Sequence, residues 1–253
     1  DGKPTFNIST AVAIVAAAAG ATVAKHGNRS NARPSGSVEG LTALGINVDA
    51  PVAVVEACLR ELRIGFLHAQ HLHPAMKQAA PVRKALGVRT IFNLLGPLVN
   101  PAGACYQLLG VGRPELRSLL AGAMAQLGTR RTFVVSGDDG LGDVTLAGPT
   151  HVTEVVAVDR SLAGSPFNEP TAATMREFTW CPEDFGLQRH SLDSLQIDSP
   201  SASAALIRQI LHGAAGPARD IVVLNAAAGL LAADKAADPP SAAALAAAAI
   251  DNG

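Results

Sequence analysis

The chain has 253 residues, 48% of them hydrophobic, and a formal charge of −1 at pH 7. That length can bury a large core, while the near-neutral balance and an aromatic content of 4% argue against a general nucleic-acid or membrane binder, which needs basic excess or stacking platforms. Three cysteines (Cys58, Cys105 and Cys181) without metal-ligand spacing read as buried thiols of a reduced, cytoplasmic protein, and no stretch reads as a signal peptide or a bilayer span.

In chain order, Asp1 to Thr10 reads as a polar loop. Ala11 to Ala19 follows as an alanine-rich helix closed by Gly20. Thr22-Val23-Ala24 suggests a short strand, and His26 to Ser37 a glycine- and serine-rich loop. Helical patterns are expected over Val38 to Leu44, Pro51 to Arg63 and Pro74 to Leu86. The prolines of Gly96-Pro-Leu-Val-Asn-Pro101 predict an extended turn. Strands are expected at Gln107 to Val111, Arg131 to Ser136 and His151 to Val158, with a helix from Pro114 to Leu127. Ser161 to Thr174 reads as a loop, Ala202 to Leu211 as a helix, and Arg219 to Leu231 as a fully buried helix. The alanine-rich stretch after Asp238 has low complexity.

Strands alternating with helices predict an α/β fold with a mostly parallel sheet flanked by helices. The helix-only stretch from Val38 to Leu86 interrupts that alternation. The expected organisation is one large domain over 1–253, with 51–86 contributing in part to a remnant helical subdomain.

Two segments invite an anion. Asn7-Ile8-Ser9-Thr10 precedes the first helix, so Ser9 or Thr10 can cap it, and the helix start attracts negative charge. The plainer reading of those residues is an ordinary cap. Lys25-His26-Gly27-Asn28-Arg29-Ser30 follows a strand, where ligand loops of open α/β sheets sit. Lys25 offers a point charge, Arg29 a forked donor, and Gly27 close approach of the backbone. Its plainer reading is a solvated basic loop. Two such loops one helix apart suit a ligand with a pyrophosphate and a further phosphate.

These residues belong to an ordered set. The strings are Thr5-Phe-Asn-Ile-Ser-Thr10, Lys25-His-Gly-Asn-Arg-Ser30, Ser35-Gly-Ser37, His73-Pro-Ala-Met-Lys77 and Pro81-Val-Arg-Lys84. Gly87-Val-Arg-Thr-Ile-Phe-Asn-Leu-Leu-Gly-Pro-Leu98, Asn100-Pro-Ala102, Gly137-Asp-Asp-Gly-Leu141, Pro182-Glu-Asp-Phe-Gly186 and Leu224-Asn-Ala-Ala-Ala228 continue it. Along nearly its whole length the chain resembles the anthranilate phosphoribosyltransferases. The resemblance implies a small helical domain beside a large α/β domain, a homodimer, and transfer of phosphoribosyl from phosphoribosyl pyrophosphate to anthranilate in tryptophan biosynthesis, with Mg2+.

It also implies roles. Asp1 would end a glycine-rich turn. Thr5, Asn7, Ile8, Ser9 and Thr10 would hold the pyrophosphate and its metal, with Ser9 and Asp143 as magnesium ligands. Lys25, His26, Gly27, Asn28, Arg29, Ser30 and Ser37 would hold the rest of that substrate. Asn28 and Arg83 would meet anthranilate, whose carboxylate a guanidinium can pair in bidentate fashion. Lys25, Asn28 and Arg83 are the expected catalytic residues.

Three departures from the family pattern are expected to weaken activity. The family's N-terminal helices do not precede Asp1 in this sequence. A Ser-Ser-Lys run is replaced by Ala32-Arg33-Pro34, and an Asp-Glu pair by Gly142-Asp143, for which Asp138 or Asp139 offers a substitute. The alternatives are a pyrimidine nucleoside phosphorylase-like enzyme and a non-catalytic, nucleic-acid-binding relative; scarce aromatics oppose the latter.

Overall fold

The computed structural model describes residues 3–28, 36–73, 85, 90–158 and 172–253. Helix α1 (Ile8–Ala18) opens it. Its cap is Asn7 rather than Ser9 or Thr10: the Asn7 side-chain oxygen accepts from the Thr10 N–H at 3.0 Å. The helix ends as expected, with the Gly20 N–H on Ala17 and the Ala21 N–H on Ala16 carbonyl oxygens.

Strand β1 (Val23–Gly27) pairs in parallel with β2 (Ile64–His68), Gly27 opposite His68. Between them lie α2 (Ser37–Ala43) and α3 (Val52–Glu61). The stretch from Val38 to Leu86 is therefore not helix-only. Ile64 to His68 hydrogen-bonds to β1, and its apolar Phe66 and Leu67 pack at the edge of the core. A short α4 (Ala69–Leu72) follows, and the expected Pro74 to Leu86 helix lies almost wholly outside the described residues. Next, α5 (Phe92–Leu95) runs directly into a 3-10 turn at Gly96–Leu98. The extended turn expected there is corrected: proline at the second position of a 3-10 helix loses no hydrogen bond.

The larger sheet has the order β3 (Tyr106–Gly110), β4 (Arg131–Gly137), β5 (Thr150–Ala157), β6 (Ala173–Trp180). Only β3 and β4 are parallel, joined through α6 (Arg117–Gln126). Both β4–β5 and β5–β6 are antiparallel. The α/β class stands, but the sheets are mixed rather than mostly parallel. Residues 138–149 hold no helix that could carry the chain back over the sheet, and a parallel return needs such a crossover. On the last strands Glu154, 5% exposed, is held between Arg131 at 2.6 Å and Arg176 at 2.9 Å.

Three helices close the fold: α7 (Pro200–Leu211), α8 (Pro217–Ala232) and α9 (Pro239–Asp251). Eleven of the sixteen α8 residues are buried, as expected for a helix apolar on all sides. The low-complexity tail is ordered helix. Asp238 and Ser241 form a reciprocal cap around Pro239, and Ala242, Ala246 and Ile250 recur every four residues on its buried face. The three cysteines are free and only partly buried. No helix among the described residues is long and apolar enough to cross a membrane.

Candidate active site

A cleft of about 1560 Å³ opens where the start of α1, the end of β1, the 96–100 segment, β3, the 142–143 loop and α8 meet. Ser9, Lys25, His26, Gly27, Asn28 and Asp143 all line it. Both candidate cradles thus face one space. Ser9 is exposed in the first turn of α1, where amides lack intrahelical acceptors and the helix dipole is positive.

Other expected contacts point elsewhere. Thr5, Ile8 and Thr10 are 7%, 2% and 0% exposed and do not line the cleft. Ile8 belongs to the main core. Asn7 is also buried: its N–H donates to Ser203 Oγ at 2.9 Å and its side-chain oxygen accepts from Thr10 and Ser9. These side chains hold the α1 start in place, so only Ser9 of the 5–10 set presents a side chain to the cleft. Helical geometry explains this, since consecutive residues at a helix start cannot share one face. Asp1, Arg29, Ser30, Ala32, Arg33, Pro34 and Arg83 lie outside the described residues.

Lys25 reaches Ser37 Oγ at 3.2 Å from its Nζ. Burial pushes its ammonium down to about 8, while the Asp143 carboxylate pulls in the opposite direction. Gly27 permits this arrangement: a β-carbon there would lie 3.0 Å from Ser37 Cβ. Its close approach is therefore to Ser37.

His26 Nδ1 lies 3.1 Å from the Gly96 carbonyl oxygen, which requires an N–H on Nδ1. Its Nε2 then accepts from His73 Nε2, 3.2 Å away. Burial holds the His26 pKa below the ordinary range, against the Gly96 hydrogen bond and with help from His73 and Lys25. An imidazole engaged at both nitrogens serves as a strut rather than offering a free nitrogen to a substrate, although its ring lines the cleft.

The loop bearing Asp143 is built by residues without an assigned part in the sequence reading. Asn225, 1% exposed, accepts from the Val144 N–H at 2.8 Å and donates to the Val144 and Ile221 carbonyl oxygens at 2.8 and 2.9 Å. A β-carbon on Gly110 would overlap the Gly142 carbonyl oxygen, so the loop rests directly on β3. Asn100 donates to the Ala24 carbonyl at 2.9 Å, and Gln107 to that of Pro97 at 2.9 Å, fixing the 96–100 wall. Asn100 and Asn225 stood within matched strings, which was their only signal.

Asp138 and Asp139 do not line the cleft. Asp139 accepts from the Leu141 N–H and from Thr145 Oγ1, at 2.9 and 2.6 Å, and Asp138 lies 2.7 Å from His151. The substitution expected of them for Gly142 is corrected: Asp139 is engaged within its own loop and Asp138 by His151 at the start of β5.

The Lys25 position gives a pH prediction. Above pH about 8 the folded chain loses this cation while the unfolded chain keeps it to about 10.4, so the cost of burying the charged Lys25 is relieved and stability rises between those values. If the ammonium binds an anion, affinity for pyrophosphate should fall about tenfold from pH 7 to pH 9, the protonated fraction changing by that factor. Calorimetric titrations at the two pH values, beside Lys25→Met as control, measure the difference.

The glycosyl transferase family α/β domain matches residues 1–253. Anthranilate phosphoribosyltransferases from Nitrosomonas europaea and Geotalea uraniireducens are 48% and 46% identical over 93% and 98% of this chain. Those matches span 65% and 67% of the relatives' own lengths. The anthranilate phosphoribosyltransferase structure from Thermus thermophilus superposes with a TM-score of 0.85 at 41% identity, covering 99% of this chain and 70% of that one. The Saccharomyces cerevisiae enzyme in complex with PRPP and Mg gives 0.84 at 27%, covering 100% and 67%. The fold is that of a glycosyltransferase α/β domain. Within that class, the chain belongs to the anthranilate phosphoribosyltransferase family.

Proposed function

We propose that the cleft binds phosphoribosyl pyrophosphate with Mg2+ and transfers its 5-phosphoribosyl group to the amine of anthranilate. The reading assigns the carbon–nitrogen bond to attack by the amine lone pair on the anomeric carbon. The carbon–oxygen bond to pyrophosphate breaks, pyrophosphate keeps the electron pair, and the amine proton passes to solvent. The aryl amine is neutral at pH 7, so no strong base is needed, and positioning and charge stabilisation carry the catalysis.

The carrying observation is that Ser9, Lys25, Asn28 and Asp143 converge on one cleft, with Lys25 hydrogen-bonded to Ser37. The Lys25 ammonium would offset charge on the leaving group. Ser9 and Asp143 offer the oxygen donors that magnesium takes, and the ion would neutralise pyrophosphate charge when bound. Asn28 would orient anthranilate at the cleft mouth, with Arg83 pairing its carboxylate. Arg29 and Ser30 would complete the phosphate loop. A homodimer is part of the same reading.

Anthranilate fluorescence should fall on mixing the chain with both substrates and magnesium. Gly142, in place of a carboxylate, is expected to raise the magnesium requirement. Lys25→Met should slow turnover about 10²- to 10³-fold, the scale for removing one group that stabilises developing charge. Turnover unaffected by Lys25→Met, or phosphorolysis of thymidine instead, would refute the assignment.

A further inference from the structure

A second cluster stands apart from the cleft lining, where the Asp49 turn meets the end of β2 and the start of α4. Asp49 Oδ1 lies 3.2 Å from His68 Nδ1 and 3.3 Å from His71 Nε2. The two rings are tilted by 33° with centroids 4.7 Å apart, and one ligand atom from each residue lies within 4.8 Å of the other two.

We propose that Asp49, His68 and His71 bind a divalent transition-metal ion, zinc in the first place, with a fourth position open to water. Zinc bound tetrahedrally at about 2.0–2.1 Å places neighbouring ligand atoms about 3.3–3.4 Å apart. The aspartate–histidine separations of 3.2 and 3.3 Å lie close to that length and the histidine nitrogens lie within 4.8 Å of each other, so an ion fits once the two rings draw together. Two imidazoles and one carboxylate suit zinc, nickel or copper, whereas magnesium takes oxygen donors. The site therefore differs in chemistry from the oxygen donors at Ser9 and Asp143.

The surroundings support a built site. The His68 side chain is 4% exposed and its Nε2 has no hydrogen-bond partner, so the ring's polar contact is the one through Nδ1 toward Asp49. The Asp49 and His71 side chains, 55% and 46% exposed, leave a path for the ion. His68 stands opposite Gly27 in the β1–β2 register. Bound metal would tie the Asp49 turn to the end of β2, the neighbour of the strand that leads into the Lys25–Ser30 loop.

The chain, stripped of metal with a chelator, is titrated with zinc in excess magnesium. One zinc per chain is expected, and cobalt in its place should give the strong visible bands of a tetrahedral ion. Asp49→Asn and His71→Ala, at half-exposed positions that the fold tolerates, should each weaken zinc binding at least about tenfold, since even supporting groups around a metal are worth that much. His212→Ala, an exposed histidine at the end of α7, should leave it unchanged. No stoichiometric binding, or binding that survives both substitutions, would overturn the proposal.

Discussion

Replacing Gly110 by alanine is expected to destabilise the chain by about 1–3 kcal/mol and to displace the loop that carries Asp143. The new methyl group would occupy the space of the Gly142 carbonyl oxygen, and that neighbour is backbone, unable to swing aside like a side-chain tip. Either β3 parts locally from β4, where Gly110 pairs with Val135, or the 142–143 segment lifts from the sheet. The second course moves Asp143 away from Lys25 and lowers magnesium affinity together with stability. Urea unfolding gives the first quantity and magnesium titration the second. Gly122→Ala serves as the control, since a β-carbon there meets nothing within 4 Å and alanine favours its helix, α6.

Asn225→Ala should cost about 3 kcal/mol. It leaves the Val144 N–H and C=O without their partner in a buried place, and each such group costs about 1–3 kcal/mol when stranded. Ile221 loses only a supplementary bond, its carbonyl lying within the turns of α8. Asn225→Asp separates the contributions: a carboxylate can still accept from the Val144 N–H but cannot donate to the two carbonyls. It should be worse than alanine, because a buried negative charge then faces carbonyl oxygens. Denaturant midpoints at pH 7 decide the order. If both variants unfold like the parent chain, the loop has another anchor.

The two variants test one idea from opposite sides. Gly110 gives the Asp143 loop a floor without side chains, and Asn225 ties it from the helix. The placement of Asp143 in the cleft depends on both, although neither residue need touch a substrate.

Much of this architecture could be read in advance where periodicity was strong. The apolar α1 and α8, and the β-branched runs of β4 and β5, announce themselves. Strand β2 escaped because Ile64 to His68 is a short apolar run between two helical patterns, too brief to show alternation. Strand β6 escaped because Thr174, Met175, Arg176 and Glu177 are exposed, so no alternation of buried and polar positions marks them. In α9, alanine on every face hides the four-residue spacing of Ala242, Ala246 and Ile250. The antiparallel half of the sheet was hidden for a different reason: strand direction depends on what lies between strands, and the 138–149 loop was read only for its acids.

The site divides in the same way. Lys25 and Asn28 at a strand end, and Ser9 at a helix start, line one cleft; the residues alone read as well as a cap and a solvated loop, and the resemblance singled them out. Thr5, Ile8 and Thr10 do not line it, since a string match carries no information about which side chains turn inward. His68 and His71 stand one helical turn apart, but Asp49 lies 19 residues before His68, too far for spacing to reveal the set. The packing of β2 back along α3 returns the end of that strand to the Asp49 turn, which precedes the helix.

Calorimetric titration of the chain with phosphoribosyl pyrophosphate, with and without magnesium, tests the central claim most directly. The account predicts one saturable site whose affinity requires magnesium and drops sharply in Lys25→Met. A folded chain that gives no heat, or gives the same heat without magnesium and without Lys25, would contradict it.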